Sequence, residues 1–189
     1  MNHVSIALVH HPVLDRQGNI YTTSITNLDV HDIARSSRTY QAGSFYIVTP
    51  ITAQQELANA IIGHWTVGKG SKKNKDREAA MAITHVTESI EKAIAQETER
   101  LGERPLVWTT SARNEHTPCL SFSDAKEKIK SGQNVMLIFG TGQGLHPSVL
   151  EGADALLPPV QSASDYNHLS VRSAAAIIID RLMASDPES

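Results

Sequence analysis

Short apolar runs alternate along the chain with longer segments of helical spacing. The apolar runs predict strands at 4–9, 44–48, 82–86, 105–109, 134–139 and 155–157. The segments between them predict helices at 28–40, 52–65, 90–101 and 123–131, a short helix from Pro147, and a final helix that ends near 182. Because the strands are apolar throughout instead of alternating with polar residues, the pattern predicts an α/β fold with a mostly parallel sheet and helices on both faces.

Polar residues at the helix starts predict the caps. A side chain that accepts a hydrogen bond from a free first-turn amide stabilises the start of a helix. The candidates are Asn27 or Asp29 for the first helix, Thr52 for the second, Ser89 for the third, and Asn167 or Ser170 for the last. Gly102 is expected to end the helix that Ser89 begins.

Composition and charge narrow the class of protein. The 189 residues, 40% of them hydrophobic, suit one packed domain that spans 1–189. A net charge of −3 gives no global basic field, so any nucleic-acid binding must use local patches. No apolar run is long enough to span a membrane, and Met1 leads into a strand instead of a signal peptide. Together with the single cysteine, Cys119, these features favour a cytoplasmic protein without membrane attachment.

One basic patch lies between the second and third predicted helices. Segment 68–77 carries five of the chain's 17 basic residues, and we interpret it as a loop inserted in the domain. The five residues are Lys69, Lys72, Lys73, Lys75 and Arg77. Clustered cations suit contact with the phosphates of an RNA backbone, whereas the alternative interpretation is a solvated linker.

Three polar loops follow three of the predicted strands, at 109–114, 140–145 and 158–167. Ligands of open parallel sheets bind beyond the carboxyl ends of the strands, so we expect the three loops to share one pocket. Gly140, Gly142 and Gly144 indicate a close approach of the backbone to a ligand or to another segment, or a tight turn. The glycine run is too short for the dinucleotide fingerprint and has no Walker lysine, so alone it is weak evidence for a nucleotide.

Three runs resemble motifs of a known family. They are 27–35, which ends in Arg35, then Phe139-Gly140-Thr141-Gly142, and 165–182, with its helix start His168-Leu169-Ser170-Val171-Arg172-Ser173-Ala174. Their combination spans nearly all of the chain and resembles the SPOUT, or α/β-knot, RNA methyltransferases. The resemblance is closest to a bacterial subgroup whose members stand alone or are joined to a tRNA guanine-N1 methyltransferase.

This resemblance implies a fold, a cofactor and an assembly. It implies a trefoil knot on the C-terminal side, S-adenosylmethionine (SAM) bound within it, and a homodimer whose interface completes the active site. RNA is the implied substrate, and tRNA is the most expected. The residues implied to bind the cofactor are Thr109, Thr110, Ser111, Phe139, Gly140, Thr141, Gly142, Gly144, Leu157, Pro158, Asn167, Leu169 and Ser170.

The catalytic residues that the resemblance implies are Arg35, His168, Ser170 and Asp29. The ribose methylases of the family carry Ser and Asn where this chain has His168 and Ser170, and Asn where it has Asp29. The target is therefore either a base nitrogen or a ribose 2′-hydroxyl. His168 is a candidate general base because imidazole titrates near neutral pH, whereas the alternative is a histidine bonded at the helix start. Asp29 or Asp32 is the other candidate proton acceptor, with helix capping as the alternative role.

The sequence also indicates which residues contact RNA, and it leaves two alternative functions open. The expected RNA contacts are Arg35 and Arg38 beside the pocket, together with the five cations of segment 68–77. His10 and His11 end the first strand, but no third ligand follows at metal-binding spacing, so no metal is expected. Two alternatives stay open: an RNA-binding protein that has kept the SAM pocket without activity, and a nucleotide-binding α/β protein of another kind.

Overall fold

The structure, a computed structural model, describes residues 3–111, 119–161 and 166–185. Its strands are β1 (Val4–Val9), β2 (Val13–Leu14), β3 (Ile20–Tyr21), β4 (Ser44–Val48), β5 (Thr84–Thr87), β6 (Leu106–Thr110), β7 (Val135–Gly140) and β8 (Ala155–Leu157). Its helices are α1 (Asn27–Thr39), α2 (Thr52–Thr66), α3 (Lys75–Met81), α4 (Ile90–Leu101), α5 (Phe122–Lys130), α6 (Pro147–Glu151) and α7 (Val171–Met183).

Six of the strands form one parallel sheet in the order β5-β4-β1-β7-β6-β8. β1 lies at its centre, where Ile6 is in register with Phe45 on one side and with Leu137 on the other. All six residues of β1 are buried, which explains why its sequence, apolar except for Ser5, does not alternate between apolar and polar residues. The predicted α/β fold with a parallel sheet is confirmed, and β2 and β3 add a small antiparallel pair.

Helices cover both faces of the sheet, also as predicted. One face carries the larger core, to which α1, α2, α3, α5 and α7 contribute buried residues such as Ile33 and Ile179. The other face carries a smaller core under α4 and α6, built around Val107 and Ile138. Among the helices of the described ranges, none is long and apolar enough to cross a membrane. The trefoil knot stays a prediction.

Two of the predicted helix caps are wrong. Thr26, which precedes both candidates, caps α1 by accepting from the backbone N–H of Asp29 at 3.1 Å. Ile51 holds the cap position of α2 without a side-chain hydrogen bond, and Thr52 is the first helical residue. Three predictions are confirmed: Ser89 caps α4, Ser170 caps α7, and left-handed Gly102 ends α4.

The prediction of a loop over 68–77 is wrong for its last three residues. A turn occupies 68–74, but Asn74 accepts from the backbone N–H of Arg77 at 2.9 Å and α3 begins at Lys75. Ala80 and Met81 at the end of α3 are buried in the larger core, and this packing stabilises a helix that the charged sequence does not suggest.

Candidate active site

A cavity of about 490 Å³ lies beyond the carboxyl ends of β6 and β7, beside the start of α7. The described parts of the three polar loops that follow β6, β7 and β8 meet in it, and α7 closes one side. Its wall consists of Thr110, Ser111, residues 139–144, Val160, residues 167–171, Ala174 and Ile178. A concave pocket of this size with mixed polar and apolar walls is typical of a small-molecule site.

Most of the residues predicted to bind a cofactor line this cavity. They are Thr110, Ser111, Phe139, Gly140, Thr141, Gly142, Gly144, Asn167, Leu169 and Ser170. Three others do not line it. Thr109 and Leu157 are fully buried within the sheet, and Pro158 follows β8 outside the wall. The walls also contain Ile178, which the motif comparison did not indicate because its position depends on how α7 packs.

The glycines after β7 allow the chain to approach itself closely. A Cβ at Gly140 would lie 2.8 Å from both the Cγ and the backbone nitrogen of Leu145. A Cβ at Gly142, which has a φ of +62°, would lie 2.9 Å from the carbonyl oxygen of Leu14. Of the alternatives that the sequence left open, the structure therefore favours a tight turn at Gly140, whose contact lies in its own loop, and contact with another chain segment at Gly142.

The start of α7 presents two of the predicted catalytic residues. His168 is exposed at the cavity wall, with its ring centroid 5.2 Å from that of Tyr166. Ser170 Oγ accepts from the backbone N–H of Ser173 at 3.3 Å and lies 2.9 Å from the Ser173 hydroxyl. The hydroxyl of Ser170 is thus engaged in capping, whereas the imidazole of His168 faces the cavity and solvent.

Asp29, a third predicted catalytic residue, is buried and paired. One of its carboxylate oxygens lies 3.1 Å from Arg172 Nη1, and the other accepts from the Thr26 hydroxyl at 2.6 Å. Asp32 lies farther from the same guanidinium, at 3.6 Å from Arg172 Nε. Because both oxygens of Asp29 already accept hydrogen bonds, its surroundings suit an anchor between α1 and α7 better than a proton acceptor.

Arg35 lies on a different side of α7 from the cavity. Its groove is formed by α1 together with Arg172, Ser173 and Ala176 of α7, whereas Val171, Ala174 and Ile178 of α7 face the cavity. Residues three and four positions apart share a helix face, so these two sets lie on separate faces. Within one protomer, Arg35 is therefore not part of the cavity wall.

The predicted RNA-binding cations differ in their surroundings. Lys69, Lys72 and Lys73 are exposed and form no ion pair with any residue that the structure describes, and Arg38 is exposed on α1. Lys75 instead pairs with Glu78 at 2.7 Å. The guanidinium of Arg77 lies over the ring of Trp65, 4.4 Å from its centroid. The turn 68–74 thus carries three exposed lysines that are available to a partner.

The structure also shows a polar chain that the sequence did not indicate. His10, 1% exposed at the end of β1, lies 2.9 Å through Nδ1 from the hydroxyl of Thr23. Thr23 in turn contacts the hydroxyl of Thr141, which lines the cavity. Burial lowers the pKa of His10 to about 4, against a smaller opposing effect of Asp29. No group of three metal-ligating residues occurs within the described ranges.

A parallel α/β sheet with a pocket at its carboxyl edge is typical of proteins that bind small molecules, and comparison with known proteins identifies the family. The model of the SAM-dependent RNA methyltransferase family matches residues 3–184, and the chain belongs to that family. This family assignment agrees with the resemblance that the sequence motifs indicated. The alternative of an unrelated nucleotide-binding protein is not supported.

Relatives agree with this assignment, and a solved structure shares the fold. A tRNA (guanine-N(1)-)-methyltransferase of Nitratidesulfovibrio vulgaris is 46% identical over 179 residues, which cover 94% of this chain and 41% of that protein. An uncharacterized protein of Aquifex aeolicus is 37% identical, with 96% of this chain and 88% of that protein covered. The SpoU methyltransferase AviRb of Streptomyces viridochromogenes, solved with its cofactor AdoMet, shares the fold at a TM-score of 0.58 and 14% identity, with 95% and 56% covered.

The cavity fits the cofactor of the family. SAM combines an apolar, aromatic adenine with ribose hydroxyls, an ammonium and a carboxylate. The cavity offers apolar surface from Phe139, Leu169 and Ile178 beside polar groups from Thr110 and Asn167. Its glycine loop is already folded back on β2, where Leu14 accepts from the backbone N–H of Gln143 at 3.0 Å and donates to the carbonyl of Gly144 at 2.9 Å. The site is thus preformed, as small-molecule sites generally are.

Proposed function

We propose that this protein methylates tRNA as a homodimer, with SAM held in the 490 Å³ cavity. The observation that carries the proposal is the meeting of three strand-end loops in one cavity, in a chain that matches a tRNA methyltransferase over 94% of its length. The match covers only 41% of that relative, so its guanine-N1 specificity is not transferred to this chain. We also propose a cytoplasmic location, which a tRNA substrate favours.

The cavity residues have distinct roles in this proposal. When bound, SAM supplies an activated methyl group on its sulfonium. Residues 139–144 and 167–171 hold the cofactor, and close packing of the loop against Leu14 keeps the cavity in shape. His168 is the proposed proton acceptor because it is exposed at the cavity wall and its imidazole bears no hydrogen bond to another described residue. The proposed target is a base nitrogen or a ribose hydroxyl whose proton His168 removes.

Arg35 enters the proposal through the partner subunit. It lies in the groove of α1 and α7, on the other face of α7 from the cavity, so it cannot complete the cavity of its own protomer without rearrangement. A two-fold dimer that packs this groove against a second copy would bring Arg35 of one protomer towards the cavity of the other. There its fixed guanidinium fork would orient a phosphate or the target nucleotide.

The RNA surface in the proposal combines the turn 68–74 with Arg35 and Arg38. Lys69, Lys72 and Lys73 are exposed without partners among the described residues, which suits contacts with phosphates. Lys75 and Arg77 belong to the same surface, but both already have partners. Lys75 pairs with Glu78 within α3, and Arg77 lies over Trp65 of α2.

The dimer and the role of Arg35 are tested together by mixing two inactive variants. Arg35→Ala should lose methyl transfer while it still binds SAM and RNA, and Ala174→Phe should lose transfer because its ring fills the cavity. If Arg35 acts across the interface, mixed dimers contain one intact site, and refolded mixtures should recover about one quarter of the wild-type activity. No recovery in dimers shown to contain both variants would place Arg35 in its own protomer and contradict the shared site.

The substrate is tested with RNA from a strain that lacks the gene. Purified protein and isotope-labelled SAM are incubated with the tRNA and rRNA fractions separately, and the labelled nucleoside is identified by mass spectrometry. The proposal predicts label in tRNA. Label confined to rRNA would contradict the tRNA substrate while leaving the family assignment intact.

A further inference from the structure

The end of β1 carries two consecutive histidines with two different polar partners. His10 is buried, and its Nδ1 lies 2.9 Å from the Thr23 hydroxyl. His11 is half-buried, and its Nδ1 lies 2.9 Å from the Thr22 hydroxyl. Among the residues that the structure describes, only the first pair continues to a further side chain. The Thr23 hydroxyl lies 2.5 Å from that of Thr141, which lines the cavity.

The side chains of His10, Thr23 and Thr141 form a hydrogen-bond chain that ends at the carbonyl oxygen of Val9. This last acceptor determines the direction of every hydrogen bond in it. The hydroxyl of Thr141 donates to the carbonyl oxygen of Val9 at 3.0 Å, and a carbonyl can only accept. Since a hydroxyl has one hydrogen, Thr141 must accept from Thr23. The hydrogen of Thr23 is then used as well, so Thr23 must accept from His10. The chain therefore requires the His10 tautomer that carries its proton on Nδ1.

The other nitrogen of His10 fits this tautomer. Nε2 is buried and has no hydrogen-bond partner within the described residues. In the opposite tautomer Nε2 would carry a buried, unpaired N–H, and reversing the chain would also cost the bond from the Thr141 hydroxyl to Val9. Burial holds the pKa of His10 near 4, so the ring stays neutral at ordinary pH and the direction of the chain is retained.

We propose that His10 is a positioning residue for the cofactor cavity, acting through Thr23 to fix the hydroxyl of Thr141 and the loop that carries it. This inference rests on the assignment of the cavity to SAM. Because the hydrogen of Thr141 is committed to Val9, its oxygen can offer a ligand only a lone pair. The Thr141 hydroxyl can therefore accept a hydrogen bond from a ligand donor, such as an amino or hydroxyl group, but cannot donate one to the ligand.

Backbone hydrogen bonds hold Thr23 and Thr141 in place independently of their side chains. The backbone N–H of Thr23 donates to the carbonyl of His10 at 3.0 Å, and that of Thr141 donates to the carbonyl of Val9 at 3.2 Å. Residues on both sides of the side-chain contacts are thus fixed independently of them. Removing one hydroxyl should consequently alter the orientation of Thr141 without unfolding the loop.

The first test is the tautomer of His10 in the protein without cofactor. Two-bond ¹H–¹⁵N correlation spectra distinguish a ring protonated on Nδ1 from one protonated on Nε2, and a His10→Asn variant assigns the signals. The proposal predicts the Nδ1-protonated form at pH 7, and the same form after Thr22→Val. Protonation on Nε2 would overturn the proposal whether or not the protein binds SAM or methylates RNA.

The second test is SAM binding by matched valine variants. Thr23→Val keeps the shape of the side chain and removes the hydroxyl, and it should weaken SAM binding roughly tenfold, the usual scale for one buried hydrogen bond. Thr22→Val removes the neighbouring hydroxyl that serves His11, and it should leave binding unchanged. His10→Asn, whose amide can still donate to Thr23, should bind more tightly than His10→Leu.

Equal affinities of the Thr23 and Thr22 variants would overturn the positioning role. If the wild-type protein bound no SAM, the proposed function would fail. The tautomer measurement would still decide the direction of the hydrogen bonds from His10 to Thr141. Should Thr23→Val not fold, Thr23→Ser provides the comparison, because it keeps the hydroxyl and should retain both the tautomer and the affinity.

Discussion

Arg172 Nη1 lies 3.1 Å from Asp29 Oδ1, and this ion pair joins the first turn of α7 to the first turn of α1. The Asp29 side chain is 10% exposed and that of Arg172 is 36% exposed, so the pair is only partly screened by solvent. It fixes the helix start that carries His168 and Ser170 at the cavity. Asp29 thereby shapes the site without contacting the cavity wall.

Asp29→Asn should destabilise the protein by about 1–2 kcal/mol. The variant leaves the guanidinium of Arg172 without its nearest anion, and the partial exposure of Arg172 reduces the penalty below that of a fully buried pair. Urea unfolding at pH 7 measures the change. Asp32→Asn is the control, because its carboxylate is more exposed and lies 3.6 Å from Arg172 Nε. An equal loss of unfolding free energy in both variants would mean that the Asp29–Arg172 contact stabilises the protein no more than the Asp32–Arg172 contact does.

Acid should destabilise the protein through His10. Its folded-state pKa is about 4, below the ordinary value of 6.5, so between these values the unfolded chain binds a proton that the folded chain does not. The free energy of unfolding should therefore fall as the pH decreases from 6.5 to 4, by up to about 3 kcal/mol from this group. Above pH 6.5 His10 should contribute no pH dependence.

His10→Asn should reduce the decrease in the free energy of unfolding between pH 7.5 and pH 4.5, measured by urea unfolding at the two pH values. Part of the slope should remain, because burial also lowers the pKa of His31 and of His85. An unchanged slope in the Asn variant would show that His10 is not the buried neutral group that the structure indicates.

Gly142→Ala should cost more stability than Gly18→Ala. Both glycines have positive φ angles, +62° and +83°, which strain any L side chain. Only at Gly142 does the added Cβ also meet backbone, the Leu14 carbonyl oxygen at 2.9 Å. We expect about 1 kcal/mol for Gly18→Ala and about 2 kcal/mol or more for Gly142→Ala, measured by thermal unfolding. A smaller loss at Gly142 would contradict the close approach of the loop to β2.

The turn 68–74 should supply salt-dependent RNA affinity. Replacing Lys69, Lys72 and Lys73 by Ala should weaken tRNA binding and reduce the slope of log K against log salt by about one unit per lost contact. SAM affinity should not change, since none of the three lines the cavity. The control replaces Lys92, Lys128 and Lys130, which changes the net charge equally but lies on α4 and α5. Equal loss in both variants would indicate a general charge effect instead of a binding surface.

The sheet could be predicted from sequence because its strands are buried on both faces. The run 4–9 contains no polar residue except Ser5, and the structure places β1 at those same six positions. α3 was not predicted at all, because Lys75, Asp76 and Arg77 at its start carry no apolar periodicity. What fixes that helix is the burial of Ala80 and Met81, a tertiary effect that local sequence does not encode.

The sequence could predict only those parts of the candidate site whose positions are set by the ends of the parallel strands. Loops after β6, β7 and β8 meet because parallel strands share a carboxyl edge, and this placed Thr110, Gly140 and Asn167 on one cavity. The contact of Thr23 with Thr141 spans 118 positions of the sequence, so no local pattern could indicate it. The placement of Arg35 away from the cavity depends likewise on how α1 packs against α7.

The central claim is that the cavity beside α7 is the SAM site, and isothermal titration calorimetry of two variants of that helix tests it most directly. Ala174 lines the cavity, whereas Ala176 lies on the groove side of the same helix. Ala174→Phe should abolish SAM binding because the ring occupies the space of the cofactor, while Ala176→Phe should bind SAM as the wild type does. Wild-type SAM affinity in a folded Ala174→Phe variant would contradict the account, since the cofactor would then bind elsewhere.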